Sequence, residues 1–138
     1  MTCTSSTTPT PRPIAAPYLT SASPAASAIL YDGVLVPNSE LGHLEIDGHD
    51  AEDRAASSVK ELEGLSYPEW AQRLTVYYRT LEKLFSPELF VVGGGVSKQS
   101  ENFLPLLDLD TEIVPATLLN KAGVVGAALY ASEESGVL

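Results

Sequence analysis

The chain has 138 residues, 44% of them hydrophobic, enough for one domain with a real core. Its formal net charge of -10 argues against nucleic acid or an anionic membrane as a partner for the surface as a whole, and eight Lys and Arg leave little for a basic patch. Cys3 is the sole cysteine, which excludes an internal disulfide and a cysteine-based zinc site.

Residues 1–27 hold five of the ten prolines, eleven Ser or Thr, one charged residue (Arg12) and no glycine. So few large apolar side chains cannot offset the entropy of ordering, and the segment is expected to be disordered. It lacks the amphipathic Arg pattern of a transit peptide, no charged-then-apolar leader opens the chain, and no apolar run reaches the length of a membrane span, so a cytoplasmic protein is expected. From residue 28 the sequence reads as one folded unit, 28–138.

Ala28-Ile-Leu-Tyr31 and Val34-Leu-Val36 flank Asp32-Gly33, a two-residue hairpin signal. The run Glu40 to Glu52 then gathers both histidines, His43 and His49, and five carboxylates, with Gly42 and Gly48 allowing the backbone to turn. Its chemistry suits a polyol site, a metal site or a solvated acidic loop, and spacing alone leaves the three open. A helix is expected from about Ala51 to Glu61. Ser66-Tyr-Pro-Glu69 is a capping box, and Trp70, Leu74, Tyr77, Tyr78, Leu81, Leu84 and Phe85 recur behind it at helical spacing, up to the stop at Pro87. On such a helix the aromatics read as core ahead of a sugar-stacking platform.

Leu89–Val92 reads as a strand ending in Gly93-Gly94-Gly95, followed by a helix from about Lys98. Strand, glycine turn and helix can bring backbone amides to an anion, although triple glycine is also an ordinary turn and Ser97 can cap the next helix instead of touching a ligand. Glu112–Pro115 reads as a further strand and Gly123–Leu129 as a last helix. Strands alternating with helices imply an α/β layered fold.

Together these stretches resemble a known family. Pro37-Asn38-Ser-Glu40-Leu-Gly-His43 through Glu52-Asp-Arg54-Ala-Ala-Ser57, then Phe90 through Lys98, then Asn120 through Ala128 are similar in order and spacing to segments of the actinobacterial polyphosphate glucokinases of the ROK sugar kinase family, from about Ala28 to Ala131. ROK kinases usually carry a zinc loop of cysteines after this histidine. Here the stretch is cysteine-free, as in the polyphosphate-using branch, so no zinc is expected. The resemblance implies an actin-like, ribonuclease-H-like fold of which this chain is the second lobe. It implies glucose hydroxyls at Glu40, His43, Glu52 and Asn38, the phosphoryl donor along Gly93, Gly94, Gly95 and Ser97, and Gly123 near an adenine or the polyphosphate track. The reaction implied is transfer from polyphosphate or ATP, with Mg²⁺, to the glucose 6-hydroxyl, in a protein of the class that often forms homodimers.

The chain departs from the family in three places. It has no Asp-x-Gly-Gly-Thr phosphate loop, and its three asparagines precede Ser39, Phe103 and Lys121, so the Asn-Asp catalytic base is missing. Where the family has a glycine-rich loop before the hairpin, residues 20–27 contain no glycine. GC-rich codons for Leu-Gly-Thr-Gly read one base later give Ser-Ala-Pro, the flavour of residues 21–26, so residues 1 to about 26 are expected to be a frame-shifted segment foreign to the family. Glucose phosphorylation is the expected function by descent, with this chain alone inactive. The competing expectation is a non-catalytic sugar-binding or regulatory remnant. A repressor's helix-turn-helix is excluded from residues 1–27 by their prolines.

Overall fold

The computed structural model describes residues 14–18, 26–31 and 34–116. Strands β1 (Ile14–Tyr18), β2 (Ala26–Tyr31) and β3 (Val34–Val36) form an antiparallel meander. The pairs Tyr31↔Val34 and Leu30↔Leu35 fit the expected hairpin about residues 32–33. After the small ribbon of β4 (Glu45–Ile46) and β5 (His49–Asp50) come helices α1 (Ala51–Ala55), α2 (Ser57–Glu63) and α3 (Tyr67–Phe85), then β6 (Leu89–Val92) and β7 (Glu112–Pro115). The sheet order is β3-β2-β1-β6-β7, with β6 and β7 parallel to β1. An antiparallel meander extended by parallel strands is the ribonuclease-H-like arrangement, and the α/β expectation is met.

One expectation is corrected. Part of the stretch read as disordered, Ile14–Tyr18, is the central strand of the sheet. Its backbone pairs over five residues with β2, from Ile14↔Leu30 to Tyr18↔Ala26, and ladder bonds do not depend on apolar side chains. On its other side it meets β6 at the single register Ala15↔Phe90, before Pro17, which has no N–H to offer.

Helix α3 organises the core. Its capping box is fully formed: the Glu69 amide donates to the Ser66 hydroxyl oxygen, and the Ser66 amide donates to Glu69 Oε2 at 2.9 Å. Trp70, Leu74, Tyr78 and Leu81 are wholly buried and Tyr77 almost so, which places the aromatics in the core and not on a sugar platform. Trp70 tilts against Phe103 at 4.9 Å between ring centres, and Tyr78 meets Phe90 of β6 edge-on at 5.0 Å. Leu84, expected on the same face, is 57% exposed, whereas Phe85 beside it packs against the core.

Two further expectations are corrected. The helix foreseen from Ala51 to Glu61 is two helices, broken at Ala56, whose backbone is extended (φ -60, ψ 146). The Ala55 carbonyl accepts instead from the buried Trp70 indole N–H at 2.9 Å. The helix expected from about Lys98 is a 3-10 segment, Gly95–Asn102, kinked at Gln99. No helix among the described residues is long and apolar enough to cross a membrane. The last expected helix, at residues 123–129, lies outside the described residues. Removing the α3 cap by Ser66→Ala should lower stability by about 1 kcal/mol, read as a lower urea midpoint at unchanged slope.

Candidate functional site

The acidic histidine run folds into two tight turns. A 3-10 turn, Leu41–His43, follows β3, and its entry is held by the Leu41 amide donating to Ser27 Oγ of β2 at 2.9 Å. The ribbon β4–β5 reverses at Asp47 (φ 52) and Gly48 (φ 78), two positive-φ residues as a two-residue hairpin turn requires. The Ala51 amide then donates to the Leu44 carbonyl at 2.9 Å, tying the end of the ribbon back to the turn that carries His43.

This closure brings three side chains together. His43 Nδ1 lies 3.2 Å from Asp50 Oδ2 and 3.6 Å from Glu52 Oε1, Glu52 being in the first turn of α1. The His43 side chain is 58% exposed and Glu52 only 16%, so the carboxylate is the wall and the imidazole the rim. The other Glu52 oxygen is buried without a protein partner. The hydrogen bond to Asp50 and then the Glu52 charge raise the His43 pKa above its ordinary value, with Glu40 adding to the same direction. The three side chains are compact enough to enclose a cation. One proton on His43 serves the bond to Asp50 without a cation, and an acidic cluster alone marks no metal site.

Glu40 is exposed at the entry of the turn, three residues before His43, and couples to it through charge. Asn38 is also exposed and adopts a left-handed backbone (φ 60), which its short amide side chain tolerates. Thus Glu40, His43 and Glu52 share one rim, with Asn38 on the chain leading into it. A hollow of about 210 Å³ beside the ribbon is lined by Asp47, His49, Asp50, Arg54, Arg73 and Val76, among others, and shares only Asp50 with the triad.

The glycine turn forms a second locus. Gly93 is buried, Gly94 has φ 77 and Gly95 is exposed. Ser97 is buried, and its hydroxyl donates to the Gly94 carbonyl at 2.6 Å, so it braces the loop from within. Gly95 borders a hollow of about 230 Å³ with Ser57, Lys60, Glu61, Tyr67 and Gln99. The Lys60 ammonium sits 4.3 Å over the Tyr67 ring, whose hydroxyl donates to Gln99 Oε1 at 2.7 Å. Ser57 is 6% exposed and its hydroxyl has no protein partner. Sequence reasoning gave Ser57 no role, although it ends the first resembling segment, and missed Lys60, which carries no motif; both line the hollow beside Gly95. Gly123 lies outside the described residues.

No protein-family model matches the chain. A polyphosphate glucokinase of Mycobacterium tuberculosis is 48% identical over 103 residues, 75% of this chain and 39% of that protein. Among solved structures, the inorganic polyphosphate/ATP-glucomannokinase of Arthrobacter sp. strain KM superposes with a TM-score of 0.85 at 48% identity, over 92% of this chain and 49% of that one. A ROK family glucokinase of Streptomyces griseus, solved with glucose and AMPPNP, matches with a TM-score of 0.67 at 19% identity over 86% of this chain and 60% of that one, a likeness of fold. The chain therefore has the fold of the ROK sugar kinases and spans half or less of the relatives it matches at 48% identity.

The raised His43 pKa has a testable sign. Whatever stability its protonation adds is fully present below pH 6.5, the ordinary value, and is lost as pH rises through the higher folded value. An NMR titration of His43 should show a midpoint above 6.5 that falls in Asp50→Asn.

Proposed function

Because three quarters of this chain is homologous to part of the polyphosphate glucokinases of the ROK sugar kinase family, we propose that it is the sugar-holding lobe of a glucokinase. The reaction it serves is phosphoryl transfer from polyphosphate, or ATP, to the 6-hydroxyl of glucose. The observation that carries this reading is the rim on which one imidazole and the Glu52 carboxylate meet, with Glu40 at its entry. An ionised carboxylate accepts from sugar hydroxyls, and a histidine ring can accept or donate, so together they can serve several hydroxyls of one ring. Asn38 adds an amide with both capacities.

The donor is placed along Gly93–Gly95, where the exposed Gly95 lets phosphate approach the backbone and Lys60 supplies a positive charge beside it. Ser97 serves there by bracing the loop, and Gly123 is assigned to the same donor side by resemblance. Mg²⁺ bound with the donor would neutralise phosphate charge. Glu61 and the unpartnered Ser57 hydroxyl give the hollow the oxygen donors that a hard cation accepts. By the same resemblance the protein is assigned to the cytoplasm, without membrane or nucleic acid partners. A homodimer is the family's habit.

The chain holds sugar ligands but contains neither the Asn-Asp base nor a glycine in residues 20–27. A missing base alone costs roughly 10²–10⁴-fold in rate. The chain assayed by itself should therefore bind glucose in a calorimeter yet form no glucose 6-phosphate from either donor in a coupled assay. Turnover near that of an intact relative would refute this. Glu40→Ala should weaken glucose binding by about tenfold or more, because hydrogen bonds to charged groups are worth roughly 1.5–3 kcal/mol, and His43→Ala by roughly three- to tenfold, the worth of one neutral hydrogen bond. An absence of glucose heat in the unaltered, folded chain would remove the proposal. Lys60→Ala should weaken polyphosphate binding and leave glucose binding unchanged, read in the same calorimeter.

A further inference from the structure

The β4–β5 ribbon delivers a carboxylate to His43 from a separate strand. Asp50 Oδ2 stands 3.2 Å from His43 Nδ1. An ionised carboxylate only accepts, so this contact is a hydrogen bond only when Nδ1 carries a proton. In a neutral imidazole a proton on Nδ1 leaves Nε2 as an acceptor. Glu52 Oε1, at 3.6 Å, lies on the same Nδ1 edge of the ring. Both acidic groups thus favour one tautomer, and the nearer of them is Asp50.

We propose that Asp50 is a positioning residue that fixes His43 in the Nδ1–H tautomer and so presents Nε2 as a hydrogen-bond acceptor. That the acceptor receives a sugar hydroxyl rests on the glucose reading above; the tautomer does not. The backbone supplies the means. Asp47 and Gly48 reverse the ribbon, the register Ile46↔His49 and Glu45↔Asp50 places Asp50 at its end, and the Ala51 amide bonded to the Leu44 carbonyl closes that end onto the turn bearing His43. Ring and carboxylate therefore share one short frame. With side chains 58% and 46% exposed, the pair adds little to stability, and its effect is on which nitrogen holds the proton. An unconstrained neutral imidazole favours the opposite, Nε2–H form.

The test is the two-bond nitrogen–proton NMR spectrum of His43 in the full chain, at alkaline pH and with a chelator present. The unaltered chain should show Nδ1–H. Asp50→Asn, whose amide oxygen still accepts, should keep it, and Asp50→Ala should shift the ring towards Nε2–H while the backbone amide spectrum stays dispersed. Glucose affinity should then fall by roughly three- to tenfold in Asp50→Ala, the worth of one neutral hydrogen bond, and stay near the original in Asp50→Asn. An Nε2–H ring in the unaltered chain, or an unchanged tautomer in Asp50→Ala, would overturn the proposal. If the tautomer responds as stated but no variant binds glucose, the positioning role stands and the glucose reading falls.

Discussion

The hydrogen bond from the Trp70 indole to the Ala55 carbonyl is the constraint from which the site descends. A wholly buried indole N–H must find an acceptor, and the one it finds lies in an alanine-rich run that would otherwise continue as a single helix. At that carbonyl the chain extends through Ala56 and restarts at Ser57, where the Ala56 carbonyl accepts from the Val59 and Lys60 amides. The short first helix then holds Glu52 against His43, while the second holds Ser57 and Lys60 beside the glycine loop. The satisfied donor in the core thus fastens the junction of two short helices, and each helix carries one half of the candidate chemistry.

The polar groups stand on very short elements, each fastened by a backbone or hydroxyl bond to something larger. Ser27 of β2 holds the 3-10 turn, and the Leu44 carbonyl holds the entry of α1. Short fastened turns place side chains accurately, because few rotatable bonds separate the ring or carboxylate from the sheet. They also leave His43 half in water, so a ligand there exchanges solvent hydrogen bonds for protein ones and gains mainly from orientation.

Much of this was legible in the residues. The capping box at Ser66, the apolar spacing behind it and the glycine stop after Val92 each marked a local event with a local cause, and the α3 and β6 boundaries follow them. The clustering of Glu40, His43 and Glu52 could be read as polyol chemistry, but not which atoms meet. The Asp47-Gly48 pair is the same signal that marks the first hairpin at Asp32-Gly33; applied here it predicts the ribbon and hence the approach of Asp50 to His43. The break at Ala56 had no local signal, and the bond that fastens it comes from a tryptophan fourteen residues further on in the chain. The ordering of Ile14–Tyr18 was illegible for another reason: composition reports what side chains can bury, whereas this strand is held by backbone pairing, over five residues with β2 and at one register with β6.

That strand has a consequence for how the molecule assembles. Its parallel neighbour is β6, so joining Ala15 to Phe90 closes a loop containing most of the described chain, whereas α3 and β6 meet through a short connection and β6 and β7 through a much smaller loop. Loop closure is an entropic cost that grows with length and precedes any reward from contact. The centre of the finished sheet is therefore its most expensive piece to add, and it comes from the stretch with the fewest large apolar residues. The helical side of the domain can gather around Trp70 and Phe103 first, leaving an open strand edge on β6 that only the distant N-terminal chain closes.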